Sequence, residues 1–364
     1  MIINKEYISS AGLRDSTFAS HMALLKTLCL LGVIFSHAVY PFTEPDPDGF
    51  WSFFAERHSE AADFFIFWGE VVIIPSFMLA SGSLAALSAE RRRRGAPAYI
   101  ADRAKRLLVP WFLLTVFWMV PLYTLFDIPA YNRPEGYTLA QTYSAGLEGL
   151  FTDHLWFLLV LFWVSVFFAA LSPLANRLGG LLVPALALVA ALLVNEYGRI
   201  LTWYAVWETS GPLIWFGLGT VLFRYRDGIG KTLARHPLTL FGLNFVLFVV
   251  TALFAAQTTP IYWLTCCLGA LTAFQACLYL ARFHGRLRGF RPYRYFEDNA
   301  FRFYLFHIPG SYLTCRMLTA AGLSSPLPLM LLSFACNLCL TACIVAVFNI
   351  LRKYLARKLS TKPR

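Results

Sequence analysis

Charge is scarce in this sequence. Only 14% of its 364 residues are charged against 58% hydrophobic, and the mean hydropathy is +0.59. Soluble domains carry about 25% charged residues, so this shortage excludes an ordinary water-borne domain and implies a membrane protein. Acidic residues are the scarcer sign, 20 against 31 Lys and Arg, leaving a net charge of +11. Such a surplus suits nucleic acid when it is gathered on one surface, and its position relative to the apolar segments decides the matter. A disulfide framework is also lacking. The eight cysteines (Cys29, Cys266, Cys267, Cys277, Cys315, Cys336, Cys339, Cys343) all lie inside apolar segments, where neither extracellular disulfides nor an exposed zinc site is built. Cys336, Cys339 and Cys343 follow helical spacing, yet no histidine or carboxylate accompanies them, which makes them packing residues and leaves no metal to expect. No signal peptide is expected either. The segment MIINKEYISSAGLRDSTF is polar, and no small-residue cleavage site follows the first apolar run, so that run is expected to stay as a helix. No fixed-period repeat is present and no stretch suffices for a soluble domain, which leaves a single transmembrane domain over 1–364.

Apolar sequence, by contrast, comes in long runs. A hydrocarbon core about 30 Å thick needs about 20 apolar residues per helix, and fewer where a helix is packed inside a bundle. Ten runs qualify: 22–42, 63–88, 107–126, 154–173, 180–195, 210–223, 237–256, 260–281, 300–320 and 327–351, of which the fifth and sixth are short. The expected fold class is therefore all-α and polytopic, with about ten transmembrane helices and both termini on one side. With a cytoplasmic N-terminus, 25 of the 31 Lys and Arg fall in inside segments, while the outside loops hold Arg57, Arg133 and Arg199. This bias is the one the positive-inside rule requires, and it predicts cytoplasmic N- and C-termini. Acidic residues do the reverse, with Glu44, Asp46, Asp48, Glu56 and Glu60 in the outside loop 43–62. The surplus charge is thus absorbed by topology: the partner it implies is the lipid bilayer, and no nucleic acid is expected.

Titratable residues at membrane depth mark function by default because they are costly to place there. Lys26, His37, Asp63, Glu70, Arg302, His307 and Arg316 fall within the runs. Lys26, Asp63 and Arg316 lie near helix ends, where snorkelling accounts for them; His37, Glu70 and His307 lie deeper. Lys26 and His37 are eleven residues apart, which is three helical turns with about 20° left over and a rise of about 16 Å. They share one face, with the cation toward the cytoplasm and the imidazole in the outer half. Glu70 comes seven residues into a helix that enters from outside, about 10 Å down and near the depth expected for His37. If those helices are neighbours, its carboxylate can orient the imidazole of a general base; otherwise it is a paired packing residue.

In the segment Glu90 to Trp111, Arg91 to Arg94 read as topology anchors. Arg103 and Arg106, three apart, share a face of a helix that continues into the membrane, and two guanidiniums there can grip a phosphate. A soluble anionic cofactor on the cytosolic side is the partner implied. His154, beside Trp156 at the outer mouth of the fourth helix, is either a sugar contact or an interfacial anchor. His21, His58, His236 and His284 fall in or beside loops and are expected to be solvated. The outer loop 127–153, with Tyr131, Tyr137, Tyr143 and Asp153, mixes aromatic and polar groups in a way compatible with a carbohydrate surface.

The order Lys26-x10-His37, FMLASGSL (Phe77 to Leu84), Arg103-x-x-Arg106 followed by Pro110, HLWFL (His154 to Leu158) and YLFHIP (Tyr304 to Pro309) resembles the membrane acyltransferase-3 family. The resemblance covers essentially the whole chain, and within the family the chain looks most like compact members of the glucan-modifying succinyltransferase type. It implies an O-acyltransferase moving an acetyl- or succinyl-type group from cytosolic acyl-CoA to an extracytoplasmic glycan. By the resemblance, His37 matches the catalytic histidine, and Lys26 stands where the family has arginine, keeping the charge but losing the planar fork. Ser81 and Gly82 match the family's Ser-Gly pair, Arg103 and Arg106 its cytosolic arginine pair thought to hold acyl-CoA, Trp156 and Phe157 its aromatic motif, and His307 its later histidine. Glu70 matches no family motif and rests on depth alone.

The expected catalytic set is therefore His37, Glu70 and His307. The donor set is Lys26, Arg103, Arg106 and Ser81, and the acceptor set is His154, Trp156 and Tyr304. His37 either deprotonates the acceptor hydroxyl or carries the acyl group briefly, while His307 either binds the thioester oxygen or relays a proton. The implied location is a bacterial inner membrane, with a polysaccharide synthase or export complex as a further partner. Two other classes accommodate the same residues: a transporter or flippase of a glycan or small solute, because buried titratable groups also build proton relays, and a non-catalytic subunit of a polysaccharide synthase.

Overall fold

Each of the ten apolar runs folds as helix. The computed structural model describes residues 15–43, 58–90, 95–125, 137–149, 153–178, 181–200, 205–254 and 258–360, and these contain helices, turns and short irregular links without a strand. The helices are α1 (Asp15–Val39), α2 (Glu60–Trp68), α3 (Ile74–Glu90), α4 (Ala96–Leu114), α5 (Val120–Leu125), α6 (Leu139–Glu148), α7 (Trp156–Leu178), α8 (Leu182–Tyr197) and α9 (Ser210–Arg224). They continue with α10 (Arg226–Arg235), α11 (Pro237–Ala252), α12 (Thr259–Gly289), α13 (Arg291–Asp298), α14 (Ala300–Ala320) and α15 (Pro326–Ser360). Glu44, Asp46, Asp48, Glu56, Arg57, Tyr131 and Arg133 and the run Arg91 to Arg94 lie outside the described residues.

Two runs are continuous through π-turns. Gly69–Ile73 joins α2 to α3 just before Pro75, whose missing amide leaves the preceding turn easiest to widen, and Thr115–Met119 joins α4 to α5. Among the described residues, five helical spans are long and apolar enough to cross a membrane: Thr17–Phe42, Glu60–Glu90, Ala96–Leu122, Thr259–Gly289 and Pro326–Tyr354. A sixth results if α10 and α11, which meet at a bend of 103°, count as one. Three helices stand where loops were expected. The signal for α6 was Thr138 followed by Gln141, which form a reciprocal capping box at its start. The helices α10 and α13 are short, polar and amphipathic, and no apolar run marks them.

The chain divides into two compact units, Met1–Cys29 with Phe67–His284, and Leu30–Ile66 with Gly285–Arg364. In the first, α3 lies along α9 with backbone against backbone. A Cβ on Gly82 would overlap the Phe216 carbonyl, and one on Gly219 would overlap that of Leu79. Ser83 Oγ closes the seam by donating to the Gly219 carbonyl at 2.9 Å. Helices in lipid gain contact through such small residues because no hydrophobic effect drives them together. Further packing joins α8 to α9 and α4 to α7.

In the second unit the last turns of α1, then α2, α14 and α15 enclose Val39, Phe42, Ala62, Cys315, Leu329 and Met330. Ser59 N–H donates to the Phe42 carbonyl at 2.9 Å, so the start of α2 is tied back to the end of α1.

Two sequence expectations need correction. Cys29, Cys266, Cys277 and Cys315 are buried packing residues, but Cys336, Cys339 and Cys343 point outward from α15; their helical spacing records an exposed face, because the middle of the buried face of α15 is taken by Ser333, Asn337 and Thr341. His21 is buried inside α1, which begins before the apolar run and takes the histidine into its packed part.

Candidate active site

In the second unit, α1 carries His37 two residues before its end and α14 carries His307 two residues before Pro309. His307 is fully buried, whereas His37 keeps part of its surface open. The two rings meet edge to face at 4.9 Å between centroids, with His307 Nε2 at 3.2 Å from His37 Nδ1. Backbone carbonyls assign the hydrogens. His37 Nδ1 lies 2.8 Å from the Val33 carbonyl and His307 Nδ1 lies 2.8 Å from the Tyr304 carbonyl. A carbonyl oxygen only accepts, so each Nδ1 carries a hydrogen and each neutral ring presents a lone pair at Nε2. The His37 Nδ1–H is therefore shared between Val33 O and His307 Nε2. The basic atom of the His37 ring is therefore Nε2.

The surroundings keep the rings in place. Tyr40 packs on His37 and Tyr304 on His307, at 5.8 and 6.2 Å between ring centroids. Tyr304 thus belongs with the histidine pair. Pro309 lies inside α14 and cannot donate to the Leu305 carbonyl, so α14 is loosened in the turn that bears His307.

The first unit gathers residues from four of the motifs. Lys26 Nζ sits 4.6 Å over the Phe77 ring, Phe77 meets Phe157 at 5.1 Å, and Phe157 meets Trp156 at 5.7 Å between centroids. A cation over an aromatic face retains its charge while losing water. The Arg103 guanidinium is within electrostatic range of Lys26 and lies 5.0 Å over Tyr99, so two positive charges face one locality. Ser81 is buried on α3, and its hydroxyl finds no hydrogen-bond partner among the described residues. Arg106 departs from Arg103: it is 70% exposed and its Nε donates to Asp102 at 3.1 Å. His154 is buried in the short turn that leads into α7, and Trp156 at the start of α7 is half-buried.

Glu70 opens the π-turn between α2 and α3 and is exposed in the first unit, where its charge acts on Glu208, in the turn before α9. Burial first, and then that neighbouring charge, push the Glu208 carboxyl up to about 7. The sequence reading missed Glu208. Its signal was a carboxylate abutting the sixth apolar run, but only the packing of α3 on α9 brings the two acids into one field. Asp63, at the start of α2, pairs with His58 Nε2 at 2.5 Å, so His58 is held at the surface by a carboxylate.

A family model described as an acyltransferase domain matches residues 22–348. No curated protein and no solved structure matches the chain.

Proposed function

The chain belongs to the membrane acyltransferase-3 family, and on that premise we propose that it moves an acetyl- or succinyl-type group from cytosolic acyl-CoA to a hydroxyl of an extracytoplasmic glycan. The reading includes about ten membrane crossings with both termini in the cytoplasm, in a bacterial inner membrane and beside a polysaccharide synthase or export complex. The observation that carries it is the His37–His307 pair, with both Nδ1 atoms hydrogen-bonded to backbone carbonyls, which makes Nε2 the unprotonated nitrogen of each neutral ring.

His37 Nε2 takes the proton of the acceptor hydroxyl as that oxygen bonds to the thioester carbon. The carbon–sulfur bond then breaks, and the imidazolium returns the proton to the departing thiolate, so one ester and one thiol form with no net proton. While His37 is charged, its Nδ1–H remains on Val33 O and His307 Nε2, which stabilise the cation. That tautomer gives His307 a supporting role; binding the thioester oxygen would need a hydrogen on the nitrogen that accepts from His37. The same orienting function was expected of Glu70, whose charge acts on Glu208.

The donor is anionic, and the residues of the first unit fit it. Lys26 and Arg103 place two positive charges together, where an anion relieves their repulsion, and Ser81 offers a buried hydroxyl to a polar atom. Arg106 adds a surface charge at the entrance. In the first unit His154 and Trp156 are assigned to the sugar, since an aromatic face beside a histidine suits a carbohydrate ring; in the second, Tyr304 is assigned to the acceptor from its place on His307.

The test is transfer from radiolabelled acyl-CoA by the purified chain in lipid nanodiscs, coupled to mass spectrometry of surface glycans from cells. His37→Ala is expected to abolish both thiol release and glycan acylation while the glycan is still exported. Unchanged acylation would sink the reading, and lost export with intact acylation would point to a transporter.

A further inference from the structure

Helices α14 and α15 are joined by polar side chains at three levels within the second unit. Asn349 Nδ2 donates to Asn299 Oδ1 at 3.0 Å near the start of α14, Asn337 Nδ2 donates to Ser311 Oγ at 2.6 Å in the middle, and Thr314 Oγ1 meets Ser333 Oγ at 3.1 Å beyond. The middle level, buried like the Thr314–Ser333 pair, differs from the others in its amide: Thr341 Oγ1 donates to Asn337 Oδ1 at 3.1 Å while Asn337 Nδ2 donates to Ser311, so the amide is held from both sides. A Cβ on Gly310 would overlap Asn337 Oδ1, which means the amide fills a notch that only glycine leaves. A buried amide in a membrane helix is costly to leave unpaired, so its bonds resist slippage of one helix past the other.

The location gives the clamp its meaning. Pro309 removes one rung of the α14 hydrogen-bond ladder, so the helix itself does not fix how the turn holding His307 is set against the turn holding Ser311. Gly310 adds backbone freedom at the same point. His307 and Ser311 are four residues apart and lie on one face of α14, so the clamp grips that face one turn beyond the imidazole.

We infer that Asn337 is a positioning residue for the acyl transfer: by holding Ser311 and filling the notch at Gly310, it fixes α14 just past Pro309 and so sets the approach of His307 to His37. The inference rests on the reading of His37 as general base. It requires that Asn337 act through His307 and not through overall stability alone, and that distinction can be measured.

The experiment is a double-mutant cycle on the full chain in nanodiscs, with kcat and the acyl-CoA KM read for Asn337→Leu, His307→Ala and the double variant, and with thermal midpoints recorded for each. Asn337→Leu is expected to lower kcat about tenfold with KM within twofold, and to lower it no further when His307 is already alanine. Ser311→Ala, which deletes one hydroxyl and leaves the amide in place, is expected to lower kcat about threefold with the same lack of additivity, and it decides the matter if Asn337→Leu does not fold. Equal losses in both backgrounds, or wild-type kcat for a folded Asn337→Leu, would overturn the inference. His37→Ala is run alongside: if it remains active the general-base reading fails, whereas an inactive His37→Ala with additive Asn337→Leu refutes the clamp alone.

Discussion

His37 offers a single Nδ1–H to two acceptors, its own Val33 carbonyl at 2.8 Å and His307 Nε2 at 3.2 Å. A carboxylate is the usual third member behind a catalytic imidazole. In lipid a neutral acceptor avoids burying a permanent charge, and a second imidazole with its own hydrogen committed to Tyr304 supplies one.

The first prediction separates the two rings. His37→Ala is expected to lower kcat by about 10²–10⁴ because the proton acceptor itself is gone. His307→Ala should cost less, about 10- to 100-fold, since Val33 O still holds the His37 tautomer. Steady-state rates of thiol release at saturating acyl-CoA check both, and a larger loss for His307→Ala would reverse the assignment.

The second prediction concerns the arginines. Arg103 shares its locality with Lys26, while Arg106 is exposed and engaged with Asp102. Arg103→Gln is expected to raise the acyl-CoA KM about tenfold, and Arg106→Gln about twofold or less, because an exposed charge is screened by salt. Equal effects would show that Arg106 leaves Asp102 to hold the donor. Lys26→Met should follow Arg103→Gln, and Lys26→Arg should restore KM if charge alone is what the position provides.

A third prediction addresses the seam between α3 and α9. Gly82→Ala and Gly219→Ala each drive a methyl into a backbone carbonyl on the facing helix, and backbone has little room to retreat. Each is expected to cost about 1–3 kcal/mol or more, read as a lower thermal midpoint in detergent. Gly228→Ala, where nothing lies within 4 Å, is the control and should leave the midpoint in place.

Much of this architecture was readable along the chain. The ten apolar runs fold mainly as helix in their described residues, five of them in spans long and apolar enough to cross a membrane, and the motif order named His37 and His307 before any contact was known. The chain alone could not pair them, since their meeting depends on how α1 and α14 pack. Short polar helices were missed for the opposite reason: α10 and α13 lack an apolar run, and α6 announced itself only through its cap. Arg103 and Arg106 show the limit of spacing as a guide. Three residues apart they share a broad face, but the Asp102 carboxylate draws one guanidinium outward. Asn337 gave no sequence signal beyond being polar within an apolar helix.

The last prediction follows from Glu208, whose carboxyl is raised from 4.5 to about 7 by burial and by the charge of Glu70. The folded state holds this proton more tightly than the unfolded chain does. Protein stability from this group is therefore greatest below about pH 4.5, falls as pH rises through the window from about 4.5 to 7, and is flat above it. Glu208→Gln removes the ionisation while keeping the shape. It is expected to raise the thermal midpoint at pH 8, by a free energy of at most about 3 kcal/mol, and to leave the midpoint near pH 4.5 where it was. Glu70→Gln should recover a smaller part of the same difference, since burial is the larger cause and remains. A midpoint that falls between pH 5 and pH 8 in wild type and stays level in Glu208→Gln confirms the linkage; parallel curves would mean that Glu208 ionises in the folded protein as freely as in the unfolded one.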